Sequence, residues 1–183
     1  MQTMQSYALA DVIQRIEDEQ TWWAEATHNT DISEAEAPGL AGEWSFKDVV
    51  NHLNIWQGRD IAELRAARDG AERPAPEWPA EIEAIEDEDE RVMHINAWTS
   101  KRDQAIPVNE AIDRYASQLE ELEEFVTEMT DETVNDPDLF PVLAGRSLAD
   151  SIMSGWLFRH THGEHGPDLQ KWIDTRSINN PTI

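Results

Sequence analysis

The chain has 183 residues and no cysteine, and it carries 38 Asp and Glu against 14 Lys and Arg, a formal net charge of −24. That length suits one domain spanning 1–183, and the missing thiols exclude cysteine nucleophiles, disulfide frameworks, Cys-ligated zinc and iron–sulfur clusters. The acidic balance argues against binding a nucleic-acid backbone. With no run of about 18 apolar residues and an N-terminus unlike a signal peptide, a cytoplasmic protein without a membrane partner is expected.

Apolar residues recur at helical spacing almost throughout, and strand-like alternation is hard to find. Leu9, Val12, Ile13, Ile16 and Trp23 predict a first helix over 4–27. After a polar loop with Pro38 and Gly39, Ser45 is placed to cap a second helix over 45–69. Asp48 sits three residues on, and Phe46, Val49, Val50, Leu53, Trp56 and Leu64 form its buried stripe. Three prolines at 74, 76 and 79 mark a loop, and Ile85, Val92, Ile95 and Trp98 predict an accessory helix over 82–102. The cleanest stripe, Val108, Ile112, Tyr115, Leu119, Leu122, Val126 and Met129, predicts a helix over 108–131. Ser147 then caps a last helix over 147–173. Four long amphipathic helices and one accessory segment predict an all-α four-helix bundle of up-down-up-down topology. The acidic run Glu86-Asp87-Glu88-Asp89-Glu90 has no turn-forming glycine and reads as a solvated face.

The residues with chemistry are histidines. His52 lies about 40° from Trp56 on a helical wheel, inside the buried arc. His162 and His165 are about 60° apart on the arc shared by Leu148, Ile152 and Leu169, whereas His160 points away from both. Two imidazoles one helical turn apart and a third from a facing helix can hold one divalent ion, zinc or nickel, and leave a position open, as catalytic metal sites do. On this reading His52, His162 and His165 are the metal ligands, with His52 and His165 as the catalytic pair, and His28, His94 and His160 lie outside. The alternative is a half-buried His52 and a polar turn at 160–165 before Pro167. Glu164 falls toward solvent, and no Gly-x-Ser-x-Gly element supports a serine triad.

The segment Trp44-Ser45-Phe46-Lys47-Asp48-Val49-Val50-Asn51-His52-Leu53-Asn54-Ile55-Trp56 resembles a signature of the DinB-like superfamily. That group includes metal-dependent hydrolases, bacillithiol-type thiol transferases and the N-domain of mycothiol-dependent maleylpyruvate isomerase. The order of Ile95 to Arg102, Val108 to Met129, Leu148 to Ile152 and Glu164 to Leu169 looks most like its ClbS/DfsB branch. The resemblance covers nearly the full chain and implies a DinB-like bundle. It would place one metal-ligating histidine at His52 and two more, four residues apart, at positions 161 and 165, but position 161 is Thr161. Either His162 substitutes from the next position or the site is degraded; the ClbS/DfsB branch does not depend on a metal triad. Two functions stay open. One is a small-molecule enzyme, a hydrolase or a ring-opening or thiol-transferase-like catalyst acting on an electrophilic substrate. The other is a non-catalytic ligand-binding or stress-associated homodimeric bundle. A homodimer burying Trp22 or Leu157 is expected in either case, since both lie off the core arcs.

Overall fold

The computed structural model describes residues 5–28 and 30–176. Among these residues the secondary structure is helical, with no strand beyond an isolated bridge between Ala41 and Trp44. Helix α1 spans Leu9–His28. Its expected start at Met4 lies outside the described residues, and the backbone N–H of Leu9 donates instead to Asp131 Oδ1 at 2.7 Å, a cap supplied from far along the chain. Helix α2, Phe46–Arg68, begins as its sequence requires. Ser45 Oγ accepts from the Asp48 amide at 3.1 Å while Asp48 Oδ2 accepts from the Ser45 amide at 2.9 Å, so two otherwise orphaned donors are satisfied reciprocally.

The accessory segment is two helices, α3 (Ala80–Glu83) and α4 (Glu88–Asp103), because Asp87 caps a fresh start by accepting from the Glu90 amide at 2.9 Å. Helix α5, Val108–Thr127, ends four residues before the sequence pattern does. Thr130 opens a separate turn, α6 (Asp131–Val134), through its own capping pair with Thr133. A short 3₁₀ turn at Pro141–Leu143 follows.

The expected last helix over 147–173 is three pieces: α7 (Leu148–Met153), a π-turn (His160–Glu164) and α8 (Gly166–Arg176). Gly155, at φ 75°, ends α7, since a backbone with positive φ cannot continue a right-handed helix.

Helix α5 is the centre of the packing, lying against both α1 and α2. Its face of Ala111, Tyr115, Leu119, Leu122, Phe125 and Val126 is buried, each long apolar side chain contributing roughly 1.5–3 kcal/mol relative to exposure. Side-chain pairs fix the directions. Gln20 meets Glu123 and Trp23 Nε1 donates to the Ile112 carbonyl, so α1 and α5 are antiparallel. Asn54 meets Ala111, Arg65 meets Glu121 and Arg68 meets Glu128, so α2 and α5 are parallel. Helix α4 runs antiparallel to α2, with Ser100 on Asp48, and it is the crossover that returns the chain. The second and third helices assigned from sequence, α2 and α5, therefore point the same way, and the alternation runs instead through α1, α2, α4 and α5. The segment taken as accessory carries one of the reversals. Trp22 and Leu157 are partly buried against the core and keep part of their surface exposed. Among the described residues Met93, 60% exposed, is the large apolar side chain left in solvent.

Candidate metal centre

Two elements, α2 and the π-turn, converge on one point near the start of α2. His52, 5% exposed, is anchored by the capped first turns of α2, which bury Val49, Val50 and Leu53 around it. His160 opens the π-turn and His165 closes it. His52 Nε2 lies 2.6 Å from His160 Nε2, a hydrogen bond in which one ring donates and the other accepts. The ring of His165 is centred 5.1 Å from each of the other two, and one ring nitrogen from each histidine falls within 4.8 Å of the others.

The structure therefore brings together two of the residues selected from sequence, His52 and His165, and replaces the third. His162 turns to the opposite side of the turn, where its Nε2 meets Glu19 Oε1 at 2.6 Å and its ring packs on Trp22, centroids 4.4 Å apart. The reason is the helix type. On a continuous α-helix residues 160 and 165 would be about 140° apart and 162 and 165 about 60° apart. Here the His165 amide donates to the His160 carbonyl at 3.2 Å, an i→i+5 bond that places residues five apart on one face. Gly166 lets the chain close beneath it, because a Cβ there would stand 3.3 Å from the Thr161 carbonyl oxygen. Thr161 itself is buried, its hydroxyl 2.7 Å from Tyr115 OH. His28 and His94 lie outside the cluster, as expected.

Aromatic rings wall the centre. Trp44 stands edge-on to His52 at 5.0 Å and stacks toward His165 at 6.1 Å; Trp56 stacks toward His160 at 6.2 Å. Trp44 is set by a tight loop in which the amides of Gly39 and Leu40 both donate to its carbonyl, at 3.2 and 2.9 Å. Beyond Trp44 lies a cavity of about 720 Å³ lined by Trp44, Asp48, Met93, Asn96, Lys101 and Gln104.

All three imidazoles are held neutral. Burial pushes His52 down to about 3, with repulsion from His160 and His165 acting in the same direction and Asn96 opposing. Burial likewise takes His160 to about 4 against the pull of Glu164, whose Oε2 is 3.8 Å from Nδ1. Burial lowers His165 too, with Glu164 and Asp168 opposing. Neutral imidazole is the form that ligates metal or accepts a proton. The cluster also fits an ion in its outer contacts: His52 Nδ1 and Asn96 Oδ1 are buried with no partner at hydrogen-bonding geometry, the donor and acceptor that would fix His52 with Nε2 as ligand. Two nitrogens on one tetrahedral ion are separated by about 3.3 Å, so the 2.6 Å contact would open by about 0.7 Å. His160 was expected outside the centre and Asn96 was missed from the sequence; the π-turn that recruits His160 has no spacing signal beyond Gly163 within it and Gly166 just after it.

Comparison with known protein families, with curated proteins and with solved structures finds no match for this chain.

Proposed function

We propose that the chain is a DinB-like four-helix bundle, closest in pattern to the ClbS/DfsB branch, and acts as a small-molecule enzyme on an electrophilic substrate by hydrolysis, ring opening or transfer. The observation that carries this reading is the convergence of His52, His160 and His165, three neutral imidazoles from two parts of the chain between two tryptophans. They are the residues that would hold a divalent ion, zinc or nickel, which when bound supplies Lewis-acid polarisation of the substrate. His165 and His160, both partly exposed, face the ligand's approach, while His52 is the buried anchor. Trp44 and Trp56 exclude water and offer flat apolar contact. Asn96 orients His52 and also lines the neighbouring cavity, so a substrate seated there lies beside the histidine cluster.

The 2.6 Å contact between His52 and His160 favours a second reading. A neutral imidazole pair satisfies itself by one hydrogen bond, and such a pair suits a non-catalytic ligand-binding bundle without an ion. Metal content separates the two. Protein purified without an affinity tag, stripped with chelator and dialysed against zinc or nickel should retain about one ion per chain. His160→Ala and His165→Ala should lose it, and His94→Ala, outside the cluster, should keep it. Absence of stoichiometric ion in the wild-type chain would reject the metal-dependent enzyme.

A further inference from the structure

Resting on the reading of His52, His160 and His165 as a metal centre, we propose that Glu19 and Tyr115 are its positioning residues. Each grips one of two consecutive π-turn residues, and together they fix the face on which His160 and His165 meet His52.

Glu19 is 1% exposed, an extreme burial for a carboxylate. Both of its oxygens are engaged: Oε1 by His162 Nε2 at 2.6 Å and Oε2 by Arg15 Nη1 at 3.2 Å. The Trp22 ring, one turn along α1, packs on His162 and leaves that imidazole little room to turn. From the other side, Tyr115 of α5, with no exposed surface, bonds Thr161 Oγ1 at 2.7 Å and packs against Trp23 at 4.4 Å between ring centroids. Positions 161 and 162 are thus tied to α5 and α1 across 46 and 143 residues of sequence. Positions 160 and 165 are left to face α2.

Such a grip is needed because a π-turn is the less stable way to wind a helix. Its α-helical alternative keeps the same sequence and rotates His160 and His165 about 140° apart, which separates them as a pair facing His52. Local preference favours that alternative; the contacts that oppose it are those of Thr161, His162 and the close-packed Gly166. The sequence around the histidines cannot hold their geometry by itself, and the information is placed in α1 and α5.

The test uses the full chain, with Glu19→Met and Tyr115→Phe as the variants and Glu63→Met as the control. Glu63 is 5% exposed and ion-paired with Arg59 and Arg73, as Glu19 is with Arg15, but its partners lie away from the π-turn. Zinc affinity is measured by chelator competition and site geometry by the visible spectrum of the cobalt-substituted protein. Glu19→Met and Tyr115→Phe are expected to weaken zinc and to change the cobalt spectrum, because the turn that carries His160 and His165 loses its hold; the expected loss is roughly 10- to 100-fold, the size found when an outer contact to a metal ligand is removed. Glu63→Met should lose stability yet keep both readouts. Wild-type affinity and spectrum in Glu19→Met and Tyr115→Phe would overturn the proposal. If Glu19→Met fails to fold, Thr161→Val, which deletes the bond to Tyr115 at nearly constant volume, takes its place with the same expectation. A wild-type chain that binds no zinc defeats the metal reading and leaves the grip to be judged by nuclear magnetic resonance on the metal-free protein. Ring-proton cross-peaks between His52 and His160 should then be present in wild type and lost in Glu19→Met, and their persistence in the variant would overturn the grip.

Discussion

Lowering the pH of the metal-free protein from 7 to 5 should cost stability in an amount that the histidine centre sets, and His160→Gln isolates that amount. The sign follows from where the protons go. In the unfolded chain each histidine titrates near its ordinary 6.5, whereas in the folded chain His52 and His160 hold out to about 3 and about 4. Between those values the unfolded state binds more protons, so stability is complete above about pH 6.5 and falls as pH drops toward the folded values. At pH 5 the folded His52 is neutral and the folded His160 is only about a tenth protonated. The loss there is governed by the unfolded chain and is insensitive to how far burial has pushed the folded values. Linkage gives about 2 kcal/mol for each of the two residues, about 4 kcal/mol together, with His165 adding in the same direction. Asp60 acts oppositely, since burial and the nearby Glu63 raise it to about 6 and its folded form gains a proton across the same window. Comparing variant with wild type cancels that contribution and the general relief of charge repulsion in acid. Urea unfolding at pH 7 and pH 5 in the presence of chelator should show a pH penalty smaller by about 2 kcal/mol in His160→Gln. An identical penalty in both proteins would refute the claim that His160 is buried as a neutral member of the cluster.

The other expectations are simpler to check. Asp60→Asn should stabilise the protein above pH 7 by up to about 3 kcal/mol and by only about 0.5 kcal/mol at pH 4, because the folded carboxyl titrates near 6 rather than 3.8; urea midpoints at the two pH values decide it. Ser45→Ala should cost about 1 kcal/mol by leaving the Asp48 amide without its cap, read from the unfolding midpoint, and an unchanged midpoint would show that water replaces the cap at no cost. With net charge −24, the thermal midpoint should rise as salt increases from 0.1 M to 1 M and the Debye length falls from ~10 Å to ~3 Å; a flat or falling midpoint rejects charge-limited stability. A homodimer is our proposal for assembly, to be read as about twice the monomer mass in sedimentation at high salt, and a monomer at tens of micromolar would contradict it.

What the sequence made legible was whatever local chemistry decides. The Ser45 cap with Asp48 in the first turn, the α5 stripe through Tyr115, Leu119 and Leu122, and the inward placement of His52 depend on neighbours within a turn or two, and each was readable from spacing. Distant partners were not. Leu9 begins α1 because Asp131 reaches its amide, and nothing near residue 9 records that. The parallel arrangement of α2 and α5 depends on α4 being a full crossover, while its weak apolar pattern reads as an accessory. The third member of the centre was misread for the same reason: a wheel assumes 100° per residue, and the π-turn breaks that assumption within the HTHGEH stretch.

The misreading of His162 bears on how the centre works. Gly155, at positive φ, ends the helix on one side, Gly166 permits close approach of the chain on the other, and a bare stretch of Arg159 to His165 could settle in more than one register. Had His162 been a ligand, an ordinary helix would have presented it, and Glu19 would be a buried carboxylate with Arg15 as its remaining partner. With His160 in its place, the same residue becomes an anchor and the carboxylate gains a second bond. Three histidines gathered as neutral rings between tryptophans weaken the metal-free fold in acid, by the linkage worked out above. An ion that binds the folded state alone would offset that cost, and its binding should move the acid limb of stability toward lower pH. A shift of that limb on adding zinc, present in wild type, reached only at higher zinc in His162→Ala and absent in His160→Ala, would tie the stability cost and the ligand set to the same three residues.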